Sequence, residues 1–175
     1  MPMEEKVIFV DEYDNEIGKG EKMAAHREGK LHRSFSIFIF NSKSEMLLQK
    51  RAKSKYHSGG LWTNTCCGHP RPGEKTQEAA ARRLKEEMGF DCDLQEILQF
   101  TYKVKLDHGL WEHEFDHAFY GVYDGEIHPN PEEADGFKWV ERTALLQDVK
   151  EHPERYTEWF KIVLERVFDR TTLRP

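Results

Sequence analysis

No apolar run in this chain approaches the roughly 18–20 residues needed to cross a bilayer, so no membrane contact is expected. The opening MPMEEKVIFVDEYD has no long apolar stretch, which argues against a secretory signal and for the cytoplasm. There is no C-x-x-C and therefore no zinc-ribbon pattern. The three cysteines, Cys66, Cys67 and Cys92, are odd in number, and adjacent Cys66 and Cys67 pair only under severe strain. Free thiols in a reducing compartment are expected. No G-x-G-x-x-G or Walker loop is present, and no repeat, low-complexity segment or linker. Basic charge is not in surplus: 26 Lys and Arg face 32 Asp and Glu, a net −6. Nucleic-acid binding has no overall electrostatic support.

What is present is a globular composition, 33% charged and 38% hydrophobic over 175 residues, expected to form one domain over 1–175. Lys6–Val10 reads as a short strand. Leu31–Phe40 (LHRSFSIFIF) reads as a strong one, and Met46–Lys50 returns after a turn. Arg51–Gly73 has Gly, Pro, Ser and Asn without periodicity, and a loop that long is usually functional. Thr76–Met88 reads as a helix capped by Thr76, with Ala80, Leu84 and Met88 as its apolar stripe and Gly89 as its stop. Glu96–Lys105 and Trp111–Tyr123 form an expected hairpin around Asp107–Gly109. Phe137–Val140 reads as a strand, and Thr143–Lys150 and Thr157–Asp169 as helices broken near Pro153. Elements mixed in this order predict an α/β or α+β sheet domain with helices packed on it.

Several residues carry chemistry. Lys50, Arg51, Lys53 and Lys55 cluster ahead of the cysteines, which reads as a local anion site or as a solvated basic loop. Arg83 and Glu87 lie four apart on one helical face beside Glu86. A carboxylate face beside a glycine loop suits hard divalent cations shared with phosphate oxygens; the plain alternative is a solvated face of ion pairs. Glu112 and Glu114 sit at i and i+2 of a strand, on the same side and about 6.5–7 Å apart, so both can reach one ion. His113 then points away with Trp111 and Phe115. His26, His32 and His69 would complete a mixed N/O set suited to Zn2+, Mn2+ or Fe2+. Nine histidines occur, and spacing alone leaves structural roles open for each.

Gly68, Glu74, Arg82, Glu86, Glu87 and Gly89 stand at the spacings of the Nudix box, G-x5-E-x7-R-E-U-x-E-E-x-G-U, within residues 68–90. One position departs, with Arg83 where the box has Glu. Further matches are AAH at Ala24–His26, LH at Leu31–His32, RAxSK at Arg51–Lys55, LWTNTCCGHP at Leu61–Pro70, ExE at Glu112–Glu114 and EW at Glu158–Trp159. On these the sequence resembles the type I isopentenyl-diphosphate isomerases of the Nudix superfamily, over about residues 20–160.

The resemblance implies a Nudix fold, a mixed β-sheet packed between α-helices, and an enzyme that interconverts isopentenyl and dimethylallyl diphosphate. Cys67 matches the catalytic thiol and Glu114 the catalytic glutamate, while Tyr102 and Trp159 match aromatic residues near the hydrocarbon. His26, His32, His69, Glu112 and Glu114 match a five-ligand site for a second divalent metal, Mn2+ or Zn2+. Glu87 matches a Mg2+ ligand, assisted by the backbone carbonyl of Cys67. Lys22, Arg51, Lys55 and Arg83 match the cations that grip the diphosphate. Cys66 falls at a variable position and reads as a packed, neutral thiol. A small-molecule substrate, no nucleic-acid or membrane partner, and a monomer or weak dimer are the corresponding expectations. Two alternatives share the fold. A Nudix hydrolase of a nucleoside diphosphate derivative should keep Glu at position 83 and has no use for Cys67. A non-catalytic Nudix module would tolerate loss of Cys67 or Glu114.

Overall fold

A computed structural model describes residues 5–171, so positions 1–4 and 172–175 of the expected 1–175 domain lie outside the described residues. Along the chain run strands β1 (Lys6–Val10) and β2 (Glu16–Glu21), helix α1 (Lys22–Glu28), strands β3 (His32–Phe40), β4 (Met46–Arg51), β5 (Trp62–Thr63) and β6 (Cys66–Gly68), and helix α2 (Thr76–Met88). Strands β7 (Gln95–Lys105), β8 (Trp111–Val122) and β9 (Ala134–Val140) follow, then helices α3 (Arg142–Glu151) and α4 (Glu158–Thr171).

Among the described residues all nine strands join one mixed sheet organised on β3. Along one edge β3 pairs in parallel with β8, from His32 opposite Glu114 to Phe40 opposite Val122. Along the other it meets β1 at His32, β6 at Phe35–Ile37 and β4 at Phe40, all antiparallel. A strand covered on both faces and both edges reads as a near-continuous apolar run, which explains the sequence SFSIFIF.

The pleat divides that run between two layers. Phe38 and Phe40 face α4, packing with Phe160, Val163, Leu164 and Phe168. Phe35, Ile37 and Ile39 face α2 and pack with Ala79, Ala80, Leu84 and Met88. The sheet thus lies between helices, as expected. Each such burial contributes about 1.5–3 kcal/mol. That outweighs surface ion pairs on α4 such as Lys161 with Glu158, 2.9 Å apart and worth at most about 1 kcal/mol.

The structure departs from the sequence reading at several points. Strand β2 and helix α1 were not foreseen, and β5 and β6 lie inside the segment read as one long loop. Strand β9 starts at Ala134 rather than Phe137, and the last helix begins at Glu158 and reaches Thr171. Thr76 is the first helical residue of α2 rather than its cap; Lys75 holds that position and makes no side-chain cap.

Gly89 ends α2 with φ at +76°, and a Cβ there would stand 2.5 Å from the His128 carbonyl oxygen. The left-handed conformation alone costs a non-glycine residue roughly 1–2 kcal/mol, and backbone cannot swing aside as a flexible side chain can. Gly89→Ala is therefore expected to lose at least about 1–2 kcal/mol of stability, read as a lower denaturant midpoint; an unshifted midpoint would contradict this account.

Candidate active site

Strand alternation gathers the site before any loop is considered. On β8, Glu112, Glu114 and Asp116 share one face. Register places Glu114 beside His32 and Asp116 beside Ser34 of β3, and Tyr102 of β7 opposite Glu114. Across the other edge of β3, Cys67 of β6 lies opposite Ser36. Cys67, His69, Glu87, Tyr102, Glu112, Glu114, Asp116 and Trp159 line one cavity of about 560 Å³, together with Lys22, Arg51, Lys55 and Arg83. His26 and His32 sit behind its wall, fully buried.

His26, His32, His69, Glu112 and Glu114 each offer a ligand atom, all within 4.8 Å of one another. Glu112 Oε1 lies 2.5 Å from His26 Nε2, and Glu114 Oε2 lies 3.2 Å from His32 Nε2 and 2.6 Å from His69 Nε2. His26 and His32 donate Nδ1–H to the carbonyls of Lys22 (2.7 Å) and Lys30 (2.8 Å). Those bonds turn both Nε2 lone pairs inward, as a metal ligand requires. Buried polar atoms normally have hydrogen-bond partners. Yet among the described residues His26 Nε2, His32 Nε2, His57 Nε2 and Glu112 Oε1 have none of proper geometry. Three of them, His26 Nε2, His32 Nε2 and Glu112 Oε1, belong to the five-residue cluster and fit a divalent cation. Burial and Glu114 push the Glu112 carboxyl upward, but bonding to His26 and His57 overrides both and holds it below the usual range. Burial likewise opposes ionisation of Glu114, yet His32 and His69 hold it well below that range.

The cavity is also lined by cations. Lys22 pairs with Glu5 at 2.6 Å, Lys55 with Glu133 at 2.6 Å, and Arg83 with Glu87 at 3.0 Å. Arg51 donates to the His57 carbonyl. Arg82 instead clamps Glu74 and Glu86, tying the preceding loop to α2. Cys66 faces α2, opposite to Cys67, and its thiol donates to Glu87 Oε2 at 3.1 Å. It is buried and neutral as expected: desolvation and then Glu87 raise its thiol well above the usual range. Its bond to Glu87 was not foreseen. Cys67 donates to Asn64 Oδ1 at 3.1 Å, and the Trp159 indole reaches the same oxygen at 3.3 Å. Desolvation, then Asp116, also raise the Cys67 thiol well above its usual range. Tyr102 donates its hydroxyl to Glu114 Oε1 in a short bond.

The structure thus brings together the site residues that the resemblance implies, whereas Lys50 and Lys53 of the basic cluster do not line the cavity. His113 bonds to the Gly29 carbonyl at 3.0 Å, away from the cluster. Asp116, His57 and Asn64 were missed. The alternation Glu112, Glu114, Asp116 was a readable signal for the first; nothing in local spacing points to His57. Asp116 accepts from Ser34 (2.9 Å) and Ser36 (2.5 Å), yet burial and then Glu114 push its carboxyl up to about 7.

The NUDIX domain family matches residues 30–160. "Isopentenyl-diphosphate Delta-isomerase 2" of Aromatoleum aromaticum is 56% identical over 94% of this chain and 87% of its own. "Isopentenyl-diphosphate Delta-isomerase" of Serratia proteamaculans is 50% identical over 93% and 91%. Among solved structures, DR0079 from Deinococcus radiodurans superposes with a TM-score of 0.79 at 20% identity, over 93% of this chain and 98% of that one. That last likeness concerns the fold alone.

Because Asp116 keeps its proton in the folded chain to about 7 against an ordinary 3.8, the stability it contributes is full below the ordinary value and lost as pH rises through the folded one. Asp116→Asn should therefore gain on the parent protein between about pH 5 and about pH 8, measured as the difference in melting temperature with metal chelated. A difference independent of pH would show that Asp116 ionises normally.

Proposed function

This chain belongs to the isopentenyl-diphosphate Delta-isomerases within the NUDIX-domain proteins, and we propose that its cavity shifts the double bond of isopentenyl diphosphate to give dimethylallyl diphosphate. The observation that carries this reading is one cavity lined both by the cations Lys22, Arg51, Lys55 and Arg83 and by Cys67, Tyr102, Glu114 and Trp159. A diphosphate carrying a five-carbon chain calls for both kinds of group.

The reaction adds a proton at C4 and removes one at C2, leaving skeleton and diphosphate intact. A C4–H bond forms, a C2–H bond breaks, and no redox partner is involved. The stages pass through a tertiary carbocation, so proton-transferring groups are needed on both faces of the hydrocarbon. In our reading Cys67 serves one face and Glu114, bonded to the Tyr102 hydroxyl, the other. Because the interconversion is reversible, whichever group delivers a proton in one direction removes it in the other. Trp159 offers an aromatic face to the cation, a contact worth about 2 kcal/mol or more when desolvated. Enclosure keeps water from trapping the cation as an alcohol.

The four cations bind the diphosphate and position the carbons by a group remote from the chemistry. Arg83, where the hydrolase pattern has Glu, suits a bidentate grip on phosphate and argues against cleavage. Glu87 and the Cys67 carbonyl would hold Mg2+ against the same phosphates. His26, His32, His69, Glu112 and Glu114 would hold Mn2+ or Zn2+, which would supply positive charge to orient Glu114 and polarise a proton donor. Among the described residues no helix is long and apolar enough to cross a membrane. A monomer or weak dimer working in the cytoplasm accords with this reading.

Incubation with isopentenyl diphosphate and Mg2+ should yield dimethylallyl diphosphate with phosphate release at background; phosphate without the isomer would overturn the assignment. Cys67→Ala is expected to lower kcat by roughly 10²–10⁴-fold, whereas Cys66→Ala stays within a few-fold of the parent. The reverse order would identify the other thiol as the proton carrier.

A further inference from the structure

The two carboxylates of the cluster are held alike. Glu114 turns Oε2 towards His32 and His69 and gives Oε1 to the Tyr102 hydroxyl. Glu112 turns Oε1 towards His26, and its Oε2 faces His57 Nε2 at 3.3 Å. Each has one oxygen directed into the cluster and one directed out. His57 is as buried as the ligands, 1% exposed. Its Nε2 shares with His26 Nε2, His32 Nε2 and Glu112 Oε1 the lack of an aligned hydrogen-bond partner.

The other ring nitrogen separates His57 from the ligands. His26 and His32 face backbone carbonyls through Nδ1. A carbonyl only accepts, so the hydrogen sits on Nδ1 and Nε2 keeps its lone pair. His57 Nδ1 instead lies 3.0 Å from the Ser58 hydroxyl, which can donate to it and leave the hydrogen on Nε2. An Nε2–H within reach of a carboxylate oxygen is a donor rather than a ligand. We propose that His57 is a positioning residue of the metal centre, holding Glu112 Oε2 so that Oε1 stays aimed at the ion, as Tyr102 does for Glu114. This rests on reading the five-residue cluster as a divalent-metal site.

His57 also meets two other residues that line the cavity. Its backbone carbonyl accepts from Arg51 Nε at 3.3 Å and Nη2 at 3.1 Å. Its ring stands edge-on to Trp159, with centroids 5.5 Å apart. One residue therefore touches a carboxylate of the metal cluster, a diphosphate-facing cation and the aromatic wall.

The test is a Co2+ titration of the metal-free protein, followed by visible absorption and by the rise in melting temperature on metal addition. The parent is compared with His57→Phe, His57→Gln and His26→Ala. Phe keeps a ring against Trp159 and against Tyr56, whose ring centroid lies 4.3 Å from that of His57, without either nitrogen, whereas Gln keeps a donor near the Nε2 position without the ring. Loss of an outer partner typically weakens metal binding about 10–100-fold. That loss is expected for His57→Phe, with a metal-free melting temperature no lower than the parent's, and His57→Gln should bind within a few-fold of the parent. Parent-like binding by the Phe variant, or a Gln variant as weak as Phe, would overturn the proposal. A parent protein with no Co2+ signal sensitive to His26→Ala would overturn the metal centre and this role together. A signal lost in His26→Ala but unchanged in His57→Phe would keep the centre and refute His57 alone.

Discussion

Two carboxylates buried on one face of a single strand set the terms for everything around them. Glu112 and Glu114 offer ligand atoms no more than 4.8 Å apart. At that separation and an effective dielectric of about 20, two unit charges repel by roughly 3 kcal/mol. Burial would ordinarily neutralise them. Instead, against burial, the facing imidazoles hold both carboxyls below the usual range. Although burial opposes it, the carboxylates in turn raise the pKa of His26 and His32, and a divalent cation at their centre would supply that positive charge instead. Asp116, one pleat further along the strand, goes the other way, because burial and then repulsion from Glu114 favour the proton there.

The pleat also settles the adjacent cysteines. Opposite Ile37 and Ser36 of β3, Cys66 and Cys67 must face different sides of the sheet. Cys66 enters the layer against α2 and meets Glu87; Cys67 enters the cavity and meets Asn64. Two thiols joined by one peptide bond thus belong to different environments. One supports the carboxylate proposed to meet Mg2+, and the other faces the substrate space.

How much of this could be read from the chain depended on how local the cause was. The α2 stripe of Ala80, Leu84 and Met88 repeats at helical spacing, and Glu112 with Glu114 repeats at strand spacing, so both were visible. Helix α1 spans only Lys22–Glu28, too short for an apolar stripe to stand out. Strands β5 and β6 span only Trp62–Thr63 and Cys66–Gly68. They are strands because β4 and β3 lie beside them, and two or three residues are too few for an alternating pattern to show. His57 was invisible for the same reason, since its meaning comes from Glu112, a partner far along the chain. The resemblance supplied the site residues that periodicity could not.

The parallel pairing of β3 with β8 has a consequence for how the molecule is made. Ribosomes release the chain from its N-terminus, so β3 emerges long before β8, the neighbour that covers one whole edge. Until Trp111–Val122 has been synthesised, LHRSFSIFIF has one uncovered edge and a sequence suited to stacking with other copies of itself. Parallel pairing across so long a stretch closes slowly. His32 meets Glu114 only at that closure. A half-made chain therefore has its most adhesive segment in the open before it can capture an ion, and chaperone demand should peak in that interval.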